Sequence, residues 1–208
     1  MTTAGPVALD RSAPPAPSPV TARHALREAT RAVHTRLHTH PVLGAVQAGT
    51  IDIACYRALL TRLYGFHLPF ETAAGIGPER SLWLADDMRA LGLTEQAIAA
   101  LPLCPSLPRL DTPYRRLGAL YVVEGSTLGG RELSKRLDHL FGRDDRAGRC
   151  FFSGRDADTG KAWRAFADAL DAAGEDGAAR AGMIAAAVET FASFENWLDW
   201  KAVTDAGR

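Results

Sequence analysis

Nowhere in the chain do about eighteen consecutive residues stay apolar, the length a helix needs to cross a bilayer. The first twenty residues also lack a continuous apolar run behind a basic start. Neither a membrane span nor a secretory leader is expected, and the expected location is the cytoplasm. Net charge is absent as well, because 24 Lys and Arg balance 24 Asp and Glu. A chain without an excess of cations offers no basic footprint for nucleic acid or an anionic membrane, so the expected partner is a small molecule or a protein. Cysteine is scarce: Cys55, Cys104 and Cys150 are odd in number, widely spaced and in no CxxC arrangement. That excludes a disulfide framework and a zinc knuckle, and predicts reduced thiols, two or three of them buried. No stretch alternates with a period of two, so no strand is expected. Without a strand followed by GxGxxG, and without an iron-sulfur cysteine pattern, neither a bound flavin nor a nicotinamide is expected.

What the 208 residues do contain is helical periodicity, in enough length for one core. Residues 1–20 are proline-rich without a helical or strand period and read as a disordered tail, leaving 21–208 as the folded domain. A helix is predicted through residues 26–38. A second is expected from Thr50 to about residue 74, stopped by Gly75, with Tyr56, Leu60, Leu63, His67 and Phe70 on one face. A third covers about 79–99, and the proline-rich stretch after it reads as a loop. Asp111 or Thr112 caps a long helix that carries Pro113 in its first turn and continues to residue 141, with Gly142 as C-cap. The segment 151–160 reads as loop, 161–173 as a short helix, and the last helix ends near residue 200. Five to seven helices without strands predict an all-α, single-domain bundle with its ligand site between facing helices.

Two segments carry chemistry. In LREATRAVHTRLH, residues 26–38, Leu26, Thr30, Val33 and Leu37 cluster on one helical face. His34 lies at the border of that stripe, about 80° from Leu26, and Arg27 falls within about 20° of His34 and roughly 10 Å along the axis. A half-buried imidazole with a cation two turns off suits a flat, metal-bearing, acid-tailed ligand. An imidazole there also serves as an ordinary boundary side chain bonded to a carbonyl. The second segment is YVVEGSTLGGRELSKRL, residues 121–137, with Gly125, Gly129 and Gly130 inside one helix. Each interior glycine costs about 0.8–1.0 kcal/mol relative to alanine, so the three require a reason. Either another helix lies close against this strip, or a flat guest does. A phosphate loop fits poorly, since no strand precedes and no GKS or GKT follows. Together the segments describe a heme site with an imidazole on one side of the ring and bare backbone on the other, leaving one coordination position open to dioxygen.

These two segments, with the aromatic helix CYRALLTRLYGFHLPFE between them, resemble heme oxygenase, in particular the bacterial, bacteriophytochrome-associated type that produces biliverdin. The likeness spans residues 26 to 200. It implies an all-α heme oxygenase fold with heme, both substrate and cofactor, sandwiched between a proximal helix and a kinked glycine-rich distal helix. It implies His34 as axial iron ligand and Gly125, Gly129 and Gly130 as the distal backbone. Tyr121 belongs to the same wall. Arg27, Arg164 and Lys135, with Arg131 as a further rival, are the cations implied for the heme propionates. Many relatives carry an aspartate directly after the first distal glycine, and here Ser126 stands in its place, so a changed water network is implied. The reaction implied is opening of heme to biliverdin, carbon monoxide and iron. Its electrons come from an external ferredoxin, flavodoxin or reductase, and its product passes to a bacteriophytochrome. His67 is the rival ligand. Its structural alternative is a buried histidine bonded to a helix carbonyl, Tyr64 or Tyr121. Two other functions stay open: a heme-binding or heme-storage protein on the same fold, and a thiaminase-like hydrolase using Cys55 or Cys150 as nucleophile.

Overall fold

A computed structural model of the chain describes residues 21–143 and 146–198. The expected tail, residues 1–20, and the helix end expected near residue 200 lie outside the described residues. The order of elements is α1 (Ala22–His38), α2 (Pro41–Ala48), α3 (Ile53–Ala74), α4 (Glu79–Ala90), α5 (Glu95–Ala99), α6 (Pro113–Lys135), α7 (Asp138–Phe141) and α8 (Cys150–Ser153). A 3-10 turn (Asp156–Asp158), α9 (Thr159–Ala173) and α10 (Gly177–Trp197) complete it, with no strand among the described residues.

The boundaries follow local chemistry. Thr112 caps α6 by accepting from the Arg115 amide at 3.1 Å, with Pro113 in the first turn where a missing N–H costs nothing. Gly75 ends α3 in the left-handed region that a residue with a Cβ enters only at a cost. The α3 cap, however, is Asp52 rather than Thr50: its carboxylate accepts from the Cys55 amide at 2.7 Å. The helix expected over 79–99 is two helices, because Gly92 takes a φ of 84° and Thr94 starts a new N-cap. The one expected over 113–141 is interrupted after Lys135, where Arg136 closes α6 and α7 follows. Residues 41–48, unassigned from the pattern, form α2, and part of the expected 151–160 loop belongs to α8 and the 3-10 turn.

Helix α10 is the hub, lying against α6, α1 and α3. Leu26, Thr30, Val33 and Leu37 are all buried, as their spacing requires, and so are Tyr56, Leu60, Leu63, His67 and Phe70 of α3. The apolar ones join Leu84, Met88, Val122, Leu170, Met183 and Phe191 in one core, except Phe70, which packs with Phe66, Ala119 and Val123 in a second cluster. Closeness of α6 to α10 depends on Gly118, since a Cβ there would stand inside the van der Waals surface of the Met183 backbone. Of the three cysteines only Cys104 is buried, fewer than expected, and all are free thiols. No described helix is long and apolar enough to cross a membrane.

Candidate functional site

Helices α1 and α6 each rest on α10 and on α9, and touch one another through Thr30 and Tyr121. His34 lies one turn beyond Thr30, and Gly125 one turn beyond Tyr121, each about 6 Å along its helix. The contact thus joins the two segments singled out from the sequence. Burial raises the Tyr121 phenol's pKa, while Thr30 and the Arg27 charge pull it back. Arg27 also acts on His34, so one cation faces both helices.

His34 is exposed, more so than the half-buried position its register predicts, and stands edge-on to Phe191 of α10 with ring centroids 6.3 Å apart. Its pKa is lowered, first by the desolvation that packing brings and then by repulsion from His38 and Arg27. The shift favours the neutral ring, the form that ligates a metal. Among the described residues no three His, Cys, Asp or Glu converge here.

Helix α6 carries the glycines without a break in its assignment, but they do three different things. A Cβ on Gly129 would meet nothing within 4 Å, while one on Gly125 would meet the Trp163 indole at 3.8 Å, an ordinary contact. Gly130 is buried, and a Cβ there would come within 3.0 Å of the Phe152 carbonyl in α8. Gly130 is therefore where α6 packs closely on α8. Ser126 is exposed and donates its hydroxyl hydrogen to the Val123 carbonyl at 2.8 Å, leaving its lone pairs as acceptors. Lys135 is engaged with Glu132 at 3.0 Å, whereas Arg27, Arg131 and Arg164 are exposed and form no ion pair among the described residues. Arg164 folds back over Gly160 at the start of its own helix.

The aromatic wall was legible only as core. Trp163 of α9 lies 5.9 Å from Tyr121 and 6.0 Å from Phe166, and its indole faces Gly125. A polar cluster beneath the distal strip was missed altogether. Arg80, 1% exposed, pairs with Glu124 at 2.8 Å and donates from Nε to Thr127 Oγ1 at 3.1 Å. Arg155 pairs with both Glu124 and Glu79. Burial pushes the Glu124 carboxyl up, but the two arginines outweigh it and hold its pKa below the ordinary value. The available signal was the glutamate immediately before Gly125.

His67 is walled off. It is 3% exposed between Phe66 and Phe151, its Nδ1 is buried without a hydrogen-bond partner, and it makes none of the bonds expected to Tyr64, Tyr121 or a carbonyl. Burial first, and the Arg80 charge second, lower its pKa to about 3. The folded state resists protonating it while the unfolded chain takes the proton near 6.5, so its contribution is complete above pH 6.5 and is lost as pH falls toward 3. Asp87, raised to about 6 by burial, acts in the opposite sense, its contribution fading as pH rises from about 4 to 6. His67→Leu is expected to flatten the acid side of the stability profile by roughly 4 kcal/mol between pH 6.5 and 3, read from urea unfolding across pH.

The cysteines do not make a nucleophile. Burial and Asp52 raise the Cys55 thiol's pKa, and burial and Asp87 push that of Cys150 up to about 11, the reverse of an activated thiolate. A groove of about 490 Å³ between Cys104, Leu107 and the Glu189, Asn196 and Trp197 face of α10 is lined by none of the expected heme-site residues.

The described residues thus form an all-helical bundle in which His34, Arg27 and Tyr121 lie near one contact between α1 and α6. A model of the heme oxygenase family matches residues 20–199, and the chain belongs to that family. The heme oxygenase of Xanthomonas campestris pv. campestris (strain 8004) is 32% identical over 172 residues, covering 76% of this chain and 96% of the relative. In fold the chain is similar to the NO- and CO-bound heme oxygenase of Neisseria meningitidis, with a TM-score of 0.65 and 24% identity over 86% of this chain and 91% of that one. It is also similar to the heme oxygenase of Leptospira interrogans, with a TM-score of 0.70 and 17% identity over 85% of this chain and 98% of that one.

Proposed function

We infer that the chain is a heme oxygenase at work as an enzyme, opening heme to biliverdin with release of carbon monoxide and iron. The observations that support this beyond family membership are an exposed His34 whose pKa is lowered and a Gly129 backbone where an added Cβ meets nothing within 4 Å. One side supplies a ligand, and the other removes bulk where a ring and a diatomic molecule must lie together.

In this reading His34 would be the residue that holds the iron, with Phe191 limiting how its ring turns. Arg27, which has no competing carboxylate among the described residues, is the first propionate partner, ahead of Lys135, whose ammonium is shared with Glu132. Arg131 and Arg164 remain available as the second. Tyr121 and Trp163 close one end of the cleft, and Gly125 and Gly129 form the distal strip, where a bend of α6 would widen the space over the ring. Bound heme supplies iron for dioxygen activation and the carbon that is oxidised. The chain contributes position and a distal surface without a carboxylic acid: Ser126 can accept a hydrogen bond there but carries no charge.

No flavin or nicotinamide is assigned to the chain, so electrons come from a separate ferredoxin, flavodoxin or reductase. A cytoplasmic setting and transfer of biliverdin to a bacteriophytochrome complete the proposal. Hemin added to the purified protein should give a one-to-one Soret complex that turns green under air with a reductant. A stable complex that never yields bilin would instead identify a heme carrier.

Gly129 provides a sharper test. Alanine there meets no neighbour and removes the glycine cost, so Gly129→Ala is expected to raise stability by about 0.5–1 kcal/mol while slowing bilin formation. Thermal unfolding and turnover of the same sample would show the two moving in opposite directions.

A further inference from the structure

His34 has a neighbour that the proposed reaction leaves unused. His38 follows one turn later on α1, also exposed, with ring centroids 4.5 Å apart and ring planes at 59°. Histidines at i and i+4 lie on one helical edge and are a recurrent bidentate metal pair. The separation is informative. A metal–imidazole bond of about 2.0–2.1 Å plus a ring radius of about 1.1 Å places each centroid about 3.2 Å from a shared ion. Two such rings at a right angle are about 4.5 Å apart, and at the tetrahedral angle about 5.2 Å. The observed distance matches cis positions of a square-planar or octahedral ion.

His38 is also oriented for the task. Its Nδ1 lies 3.4 Å from the Gln47 side-chain oxygen, at the outer limit of a hydrogen bond. An oxygen accepts only from a protonated nitrogen, so this contact favours the tautomer with the proton on Nδ1 and the lone pair on Nε2. Among the described residues no third His, Cys, Asp or Glu joins the pair, so water would fill the remaining positions.

We propose that in the heme-free protein His34 and His38 form a two-histidine clip for a divalent first-row transition ion, and that an ion held there excludes iron porphyrin. Copper(II), the strongest binder of nitrogen donors in that series and tetragonal in preference, is the probe of choice. The exclusion rests on the reading of His34 as axial ligand, whereas the clip itself does not. Exclusion follows because an ion held between the rings engages His34 and blocks its approach to a porphyrin iron. The clip would thus tie loading of the site to the free transition-metal level.

The test is a calorimetric titration of the heme-free full chain with Cu²⁺, with electron paramagnetic resonance to count nitrogen ligands. One ion per chain with two imidazole nitrogens is expected. His38→Ala, an exposed substitution, should weaken Cu²⁺ at least tenfold while hemin still binds one-to-one. Bound Cu²⁺ should raise the apparent Kd for hemin at least tenfold in the unaltered protein and leave it unchanged in His38→Ala. Equal Cu²⁺ affinity in the two proteins would overturn the clip, and unaltered hemin affinity in the Cu²⁺-loaded protein would overturn the exclusion. Failure of hemin to bind the metal-free protein would instead remove the reading of His34 as axial ligand, with the clip still judged by copper alone.

Discussion

His34→Ala is expected to abolish the five-coordinate hemin spectrum and to lower bilin formation by about 100-fold or more, with added imidazole restoring part of both. The substitution is structurally cheap, because His34 is exposed on α1 and its partners are ring contacts. An exposed change of that kind shifts stability by roughly 0.5 kcal/mol or less, so a lost spectrum reports the ligand and not the fold. His67→Ala makes the opposite pattern. It leaves a cavity between Phe66 and Phe151 and costs about 2 kcal/mol or more, yet should keep the hemin spectrum, since no open surface reaches that imidazole. Urea unfolding and hemin titration of both variants separate the two roles. A spectrum lost in His67→Ala and kept in His34→Ala would move the ligand to α3.

Why the pattern could rank these histidines but not settle them is a matter of register. Period alone places His67 more squarely inward than His34, and the structure agrees, with His67 buried and His34 exposed. Inwardness, however, measures distance from water and not access to a ligand. A residue sealed among rings is a poor donor, and a boundary residue facing a cleft is a good one. The helical class, the α1 stripe and the Thr112 and Gly75 boundaries were legible because each depends on neighbours within one or two turns. The breaks at Gly92 and Arg136 were not, since an apolar period persists through both and only tertiary packing decides where a helix yields. The glycines illustrate the same limit. Sequence marks Gly125, Gly129 and Gly130 as one strip, but what each meets belongs to other helices, namely Trp163 in α9, open space, and Phe152 in α8. Gly118, outside that strip, makes the closest approach on α6.

The cluster below the distal strip gives the second large expectation. Arg80 is a charged side chain 1% exposed, neutralised by Glu124 at 2.8 Å and tied to Thr127, while Glu71 accepts from the Arg80 and Ser81 amides at 2.7 and 3.1 Å. Helices α3, α4 and α6 are thereby fastened at one point, directly before Gly125. Arg80→Met keeps most of the volume and removes the charge. It leaves Glu124 partly buried with Arg155 as its remaining cation, so the loss is expected at the lower end of the range for breaking a buried pair, about 3 kcal/mol. The Glu124 carboxyl should then rise toward its ordinary value, because one of the two charges holding it down has gone. If the cluster also fixes the height of the distal strip, a variant kept folded at low temperature should bind hemin normally, since His34 and Arg27 lie on α1, but convert it more slowly. Arg80→Lys restores charge without the planar fork that reaches both Glu124 and Thr127, and should recover stability only in part. Equal stability of Arg80→Met and the unaltered protein would show that Arg155 alone carries the cluster.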